Sequence, residues 1–168
     1  MSEQTSETPG SNEGQDKSAQ KFSLQKIYLK DTSFETPNSP EIFTEKWDPA
    51  INIELQTAGK PLSQEVQEVV LTVTVTAKLG DKTAYLVEVH QAGVFTVSGF
   101  EGDQLAHMLG SFCPSILFPY AREAVSDIVG KGGFPQILLS PVNFDALFAQ
   151  HKQELQQKLA QTAEESIH

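Results

Sequence analysis

One thiol, Cys113, and four imidazoles, His90, His107, His151 and His168, are the side chains best suited to covalent or metal chemistry in this 168-residue sequence. Cys113 and His107 could act as a nucleophile and its base. No third, orienting group stands at a motif spacing, and Pro114 follows the thiol directly. The other reading is a small buried residue. The histidines never reach zinc-ligand spacing with one another or with the lone cysteine. Gly130-Lys131 fails as a phosphate loop, because Val125 stands where glycine is needed and Gly132 replaces Ser or Thr. Gly99-Phe100-Glu101-Gly102 has the outline of a nucleic-acid GXXG loop, but Glu101 would face phosphate, and a strand-to-helix turn explains it as well. No carboxylate pair stands apart from the general acidity. No motif supports catalysis, and no cofactor or metal is expected.

Two other groupings suit binding rather than reaction. Phe34, Phe43 and Trp47 lie in a proline-punctuated stretch, residues 31–50, next to an alternating Ile51, Ile53, Leu55 row. They could be core, or they could line an apolar groove for extended peptide. Asp31, Glu35, Glu41, Glu45 and Asp48 fall in the same stretch against Lys46 alone. They could be a solvated loop or an acidic docking surface.

The elements that would position these residues follow from periodicity. Residues 1–21 carry almost nothing apolar and read as a disordered tail. Residues 22–30 read as a first strand with apolar side chains on both faces, suggesting cover on both sides. Residues 31–50, with Pro37, Pro40 and Pro49, read as a long loop. Residues 51–57 alternate as a second strand. Residues 66–79 are the strongest strand, with Val69, Leu71, Val73, Val75, Ala77 and Leu79 on one parity and Thr72, Thr74, Thr76 and Lys78 on the other. Gly80-Asp81-Lys82 reads as a hairpin turn, and residues 83–98 return as a fourth strand, in which Gly93 suggests a bulge or a close approach. Residues 101–109 and 119–129 then read as helices interrupted at Cys113-Pro114. Ser140-Pro141 reads as the cap of a last helix through Phe144, Leu147, Phe148, His151, Leu155 and Leu159, and residues 160–168 as a polar, disordered tail.

Four strands followed by helices indicate an α+β fold with a four-stranded antiparallel sheet. Its open edges and second face make oligomerisation attractive. Twelve Lys and Arg against 22 Asp and Glu give a net charge of −10. That disfavours a nucleic-acid binder and docking on an anionic membrane. No apolar run suits membrane insertion, no secretory leader is evident, and a single cysteine fits a cytoplasmic protein.

Four stretches, IYLKDTSFETPNSP, EVVLTVTVTAKLGDKTAYLVEV, MLGSFCPSILFPYAREAVSDIV and FPQILLSPVNFDALF, closely resemble the SecB family of bacterial export chaperones. The resemblance spans about residues 22–150, within a domain set at 22–159. It implies a holdase that binds unfolded precursor proteins in the cytoplasm, keeps them translocation-competent and delivers them to the SecA motor without nucleotide of its own. It implies a homotetramer, a dimer of dimers, with the helices of residues 101–129 between dimers. It places motor contacts at Asp31, Glu35, Leu86 and Glu88. Strand parity separately groups Leu86, Glu88 and His90 on one face. The motor's zinc-bearing basic tail would suit an acidic surface, and the zinc would belong to the motor. Clients would be held by Phe34, Phe43, Trp47, Ile51, Ile53, Leu55 and Phe148. A SecB-like chaperone of a toxin–antitoxin system and a small α+β enzyme using Cys113 and His107 are the competing functions.

Overall fold

The structure, a computed structural model, describes residues 19–165. Most of the expected N-terminal tail lies outside the described residues, as do residues 166–168; Lys21 is already in a strand. Strands β1 (Lys21–Glu35), β2 (Ala50–Pro61), β3 (Val66–Leu79) and β4 (Lys82–Ser98) form one antiparallel sheet in the order β1-β4-β3-β2. Helices α1 (Gly102–His107), α2 (Cys113–Lys131) and α3 (Phe144–Glu165) follow, and a π-helical turn at Met108–Phe112 joins the first two. The α+β order expected from the sequence is the order observed.

The core lies between α2 and the inner face of β3 and β4. Val69, Leu71, Val73 and Val75 of β3 are fully buried, as are Val87, Val89 and Phe95 of β4. Against them α2 sets Cys113, Leu117, Ala121, Val125 and Val129, one every fourth residue and all fully buried. Burying each Val or Leu contributes about 1.5–3 kcal/mol. Gly93 is a close approach and not a bulge in β4: a Cβ there would lie 2.6 Å from the Phe95 ring and 3.0 Å from Leu117. Gly80 and Asp81 alone make the β3–β4 turn, since Leu79 pairs with Lys82.

Strand β1 corrects the sequence reading twice. It runs five residues past position 30, so the loop begins at Thr36 and not at Asp31. Two register shifts, between Leu24 and Lys26 and between Leu29 and Asp31, change the phase of its alternation. Phe22, Leu24, Ile27, Leu29, Thr32 and Phe34 therefore all share the inner face, opposite inner residues of β4, while Tyr28 faces out. Covered faces on both sides were inferred from an alternation that ignored these shifts. The strand is an edge, and Leu24 and Leu29 remain exposed.

The helices correct it four times. Cys113-Pro114 does not interrupt the chain's helical path, because Pro114 occupies the first turn of α2, where its missing N–H is not needed. Pro119 lies within α2 without ending it; the residue is exposed, so the carbonyl it leaves unbonded can meet water. Ser140-Pro141 is not the cap of α3. Asn143 is: its Oδ1 accepts the Ala146 N–H at 3.0 Å, and its carbonyl accepts the Leu147 N–H at 3.2 Å. Helix α3 continues to Glu165, beyond Leu159, its last large apolar residue, so residues 160–165 of the expected tail are helical.

Among the described residues no helix covers the outer face of β1 and β3, but a polar network does. Glu68 accepts the Tyr28 hydroxyl hydrogen bond and both its oxygens accept from Lys30 Nζ, at 2.8 and 2.9 Å. The Lys30 and Tyr28 bonds hold the Glu68 carboxyl below its ordinary 4.5, and the same contact raises Tyr28. Glu68→Gln is expected to lower stability by about 1–2 kcal/mol in urea unfolding near neutral pH. Because the folded carboxyl titrates lower than the unfolded one, its contribution is full above the unfolded pKa. It disappears as the pH falls through the lower, folded value, so wild type and variant should converge in acid.

Candidate functional site

The outer face carries the acidic residues expected to meet a basic partner. Register sets Glu35 opposite Leu86, Ser33 opposite Glu88 and Asp31 opposite His90. The same three rows continue into Thr76, Thr74 and Thr72 of β3 and Asn52, Glu54 and Gln56 of β2. Asp31, Glu35, Leu86 and Glu88 thus lie side by side on two hydrogen-bonded strands. Asp31, Glu35, Glu54 and Glu88 supply four carboxylates, and none of the three rows holds a Lys or Arg. Leu86 is half-buried and gives this polar face its apolar spot. The acidic stretch of residues 31–50 is divided: Asp31 and Glu35 belong to β1, whereas Glu45 is paired with Lys82.

The aromatic residues gather on the inner side. Phe34 lies in β1, not in a loop, and its ring stacks 6.0 Å from Tyr85. Trp47 stacks on Tyr85 at 6.4 Å and meets Phe134 at 5.5 Å. Phe43 reaches the same Phe134 at 5.0 Å while staying 49% exposed. A single 3₁₀ turn, Glu41–Thr44, carries Phe43 and drives Ile42 into the core at 2% exposure. The loop is therefore anchored beneath and open above. Phe134, the hub of the cluster, and Ile42, its anchor, were not singled out from the sequence. Neither lies in a regular alternating element, so periodicity could not mark them.

Next to this shelf, β2 forms the other edge of the sheet. Ile51, Ile53 and Leu55 share its inner face, opposite Ala77, Val75 and Val73. Their β3 partners are fully buried, yet Ile51 and Ile53 stay 39% and 46% exposed. The pairing of β2 with β3 has no register shift over its whole length, in contrast to the twice-bulged β1. Its free edge offers a straight row of unpaired backbone groups, about 3.3 Å per residue. At its far end Gly59 approaches Leu109 of the π turn. Phe148 stands at that end, apart from the aromatic shelf. It lies against Gly110, where a Cβ would be 2.6 Å from its ring, and meets His107 edge-on at 5.6 Å. From His151 to Ala163, α3 is exposed throughout, including Leu155 and Leu159.

The thiol–imidazole pair does not assemble. Cys113 is fully buried, and burial pushes its thiol up to about 12, so almost no thiolate exists near neutrality. His107 Nε2 meets Asp145 Oδ1 at 2.7 Å, and the Ser111 hydroxyl donates to that same oxygen at 2.5 Å. A serine that donates to the carboxylate lacks the serine–imidazole contact by which a histidine activates a nucleophile. These contacts, the Ser111 bond foremost, hold the Asp145 carboxyl below its usual value and clasp the first turn of α3 to the π turn. Among the described residues no group of three or more His, Cys, Asp or Glu could hold a metal, and no helix is long and apolar enough to cross a membrane.

Residues 15–155 match the family described as SecB, preprotein translocase subunit SecB. The protein-export protein SecB of Nitrosococcus oceani is 54% identical over 158 residues, 93% of this chain and 94% of that protein. That of Marinobacter nauticus is 56% identical over 144 residues, 86% and 87% of the two chains. That of Methylococcus capsulatus is 58% identical over 137 residues, 82% and 88%. Among solved structures, the Mycobacterium tuberculosis SecB-like chaperone bound to a peptide from the HigA1 antitoxin has the same fold. Its TM-score is 0.56 at 17% identity, over 72% of this chain and 90% of that one.

Proposed function

This chain belongs to the SecB family of protein-export chaperones, and from that premise we propose how its surfaces divide the work. The inner row of β2 and the aromatic shelf hold unfolded precursors, and the acidic outer rows dock the SecA motor. One observation carries the first half: β2 is a straight, unpaired edge whose apolar inner row stays open beside half-exposed aromatics. An extended client can add its backbone to such an edge whatever its sequence. Apolar burial at about 25 cal/mol per Å² then adds affinity without direction, as a promiscuous holder needs.

The rows around Glu88 support the second half, because a cationic partner would meet four carboxylates and one leucine. Holding needs no nucleotide if the motor engages the loaded complex and competes for the client. The exposed Leu24, Leu29, Phe112 and Tyr120 along β1 and the adjoining helices support the homotetrameric dimer of dimers. The chain acts in the cytoplasm, as a holder and not as an enzyme. The export reading rests on relatives of 54–58% identity; the antitoxin-bound structure shares only the fold.

Spontaneous refolding of a slow-folding exported precursor tests the holdase. Without nucleotide, refolding should stop at near one tetramer per client. Unchanged refolding in the presence of folded, tetrameric protein would remove the client reading.

A further inference from the structure

The docking rows contain one titratable group that is not a carboxylate. His90 lies two residues from Glu88 on the same face of β4, and its Nε2 meets Glu88 Oε1 at 2.6 Å. The other Glu88 oxygen accepts from the Thr74 hydroxyl at 3.3 Å, and His90 Nδ1 lies 3.2 Å from the Thr72 hydroxyl. Two threonines of β3, one imidazole and one carboxylate thus form a chain of contacts across the centre of the acidic face. Asp31 stands directly opposite His90 on β1. Gln56 of β2, beyond Thr72, is uncharged. The nearest lysine in sequence to Asp31, Lys30, is committed to Glu68. The helices pack on the opposite face of the sheet.

We propose that His90 is a positioning residue that sets the strength of this docking face with pH. As a neutral imidazole it donates from Nε2 to Glu88 and accepts the Thr72 hydroxyl at Nδ1. The carboxylate is then oriented, keeps its full charge, and has lone pairs left for an incoming cation. On gaining a proton, Nδ1 becomes a donor, and the Thr72 hydroxyl rotates to accept from it. No hydrogen bond is lost, so only the charge changes: Glu88 is neutralised and Asp31 gains a cation beside it. Histidine is the side chain that makes such a change within about pH 5 to 8. A basic partner should therefore bind the protonated state more weakly, and by linkage its docking favours the neutral ring.

The inference rests on the docking role of Glu88 proposed above. The test uses the SecA motor as the probe, the full-length chain, and the variants His90→Gln and His90→Ala. Between about pH 8 and about pH 6, wild-type affinity should fall about threefold more than that of His90→Gln, which can still donate to Glu88 but does not titrate. His90→Ala should bind more weakly than wild type at the higher pH and show the same flat profile as His90→Gln. Equal pH dependence in wild type and His90→Gln, with docking intact, overturns the role of His90 alone. NMR of the imidazole at about pH 8 should find the proton on Nε2; a proton on Nδ1 overturns the Glu88 contact whatever SecA does. If Glu88→Lys leaves SecA binding unchanged, the docking reading falls, and this inference falls with it.

Discussion

Replacing Phe134 with alanine is expected to cost about 3–5 kcal/mol of stability, as for other large aromatics removed from a packed site. The ring is 6% exposed and sits within aromatic contact distance of four others: Phe43 at 5.0 Å, Tyr85 at 5.1 Å, Trp47 at 5.5 Å and Phe34 at 6.4 Å. Phe34 and Trp47 cannot collapse into the vacancy without leaving Tyr85, which is itself anchored in β4. Urea unfolding followed by Trp47, the sole tryptophan, reports both the loss and the loosening of the loop. Client holding should weaken in parallel, since the exposed Phe43 depends on Phe134 for its position. Phe134→Leu should recover most of the stability. A loss below about 1 kcal/mol would mean that the shelf is held by Ile42 and the strands alone.

Glu88→Lys is expected to weaken SecA docking at least about tenfold while leaving the arrest of refolding unchanged. The reversal puts a cation between the Asp31 and Glu35 rows, on a face whose three rows hold no Lys or Arg, so it repels a basic partner as well as losing a bond. Clients should not sense it, because the Glu88 side chain leaves the outer face of the sheet and Ile51, Ile53 and Leu55 lie on the inner face. Titration of motor binding and a refolding assay on the same variant separate the two. Equal loss of both would show that one surface serves both partners. Wild-type docking should also weaken as salt rises, whereas client holding should not.

The regular parts of this fold were legible because their periods are unbroken. The alternation of Val69 through Leu79 marks β3 and its buried face without help. The β1 residues after position 30 were lost to a loop because Pro37, Pro40 and Pro49 punctuate the stretch they open, and because two bulges put Ile27 and Leu29 out of phase with Phe22 and Leu24 before Thr32 and Phe34 restore it. Within DTSFE itself Thr32 and Phe34 alternate cleanly against Asp31, Ser33 and Glu35. A phase-tolerant reading would have recovered the strand, and with it the placement of Asp31 and Glu35 on the acidic outer face. The π turn was equally hidden, since Pro114 signals a break in an α-helix but is harmless at the start of a new one.

Sequence alone determined the α+β order, the family and the separation of polar from apolar faces, because these depend on residue type and local period. Tertiary structure alone decided which distant residues meet. Phe134 becomes the hub of the aromatic shelf, and His90 becomes the partner of Glu88 under two β3 threonines. Cys113 becomes inert because the sheet buries it, and Phe148 goes to the π turn instead of joining Trp47. Each outcome follows from strand register and from where the chain returns after a loop, and neither is encoded in the spacing of neighbouring residues.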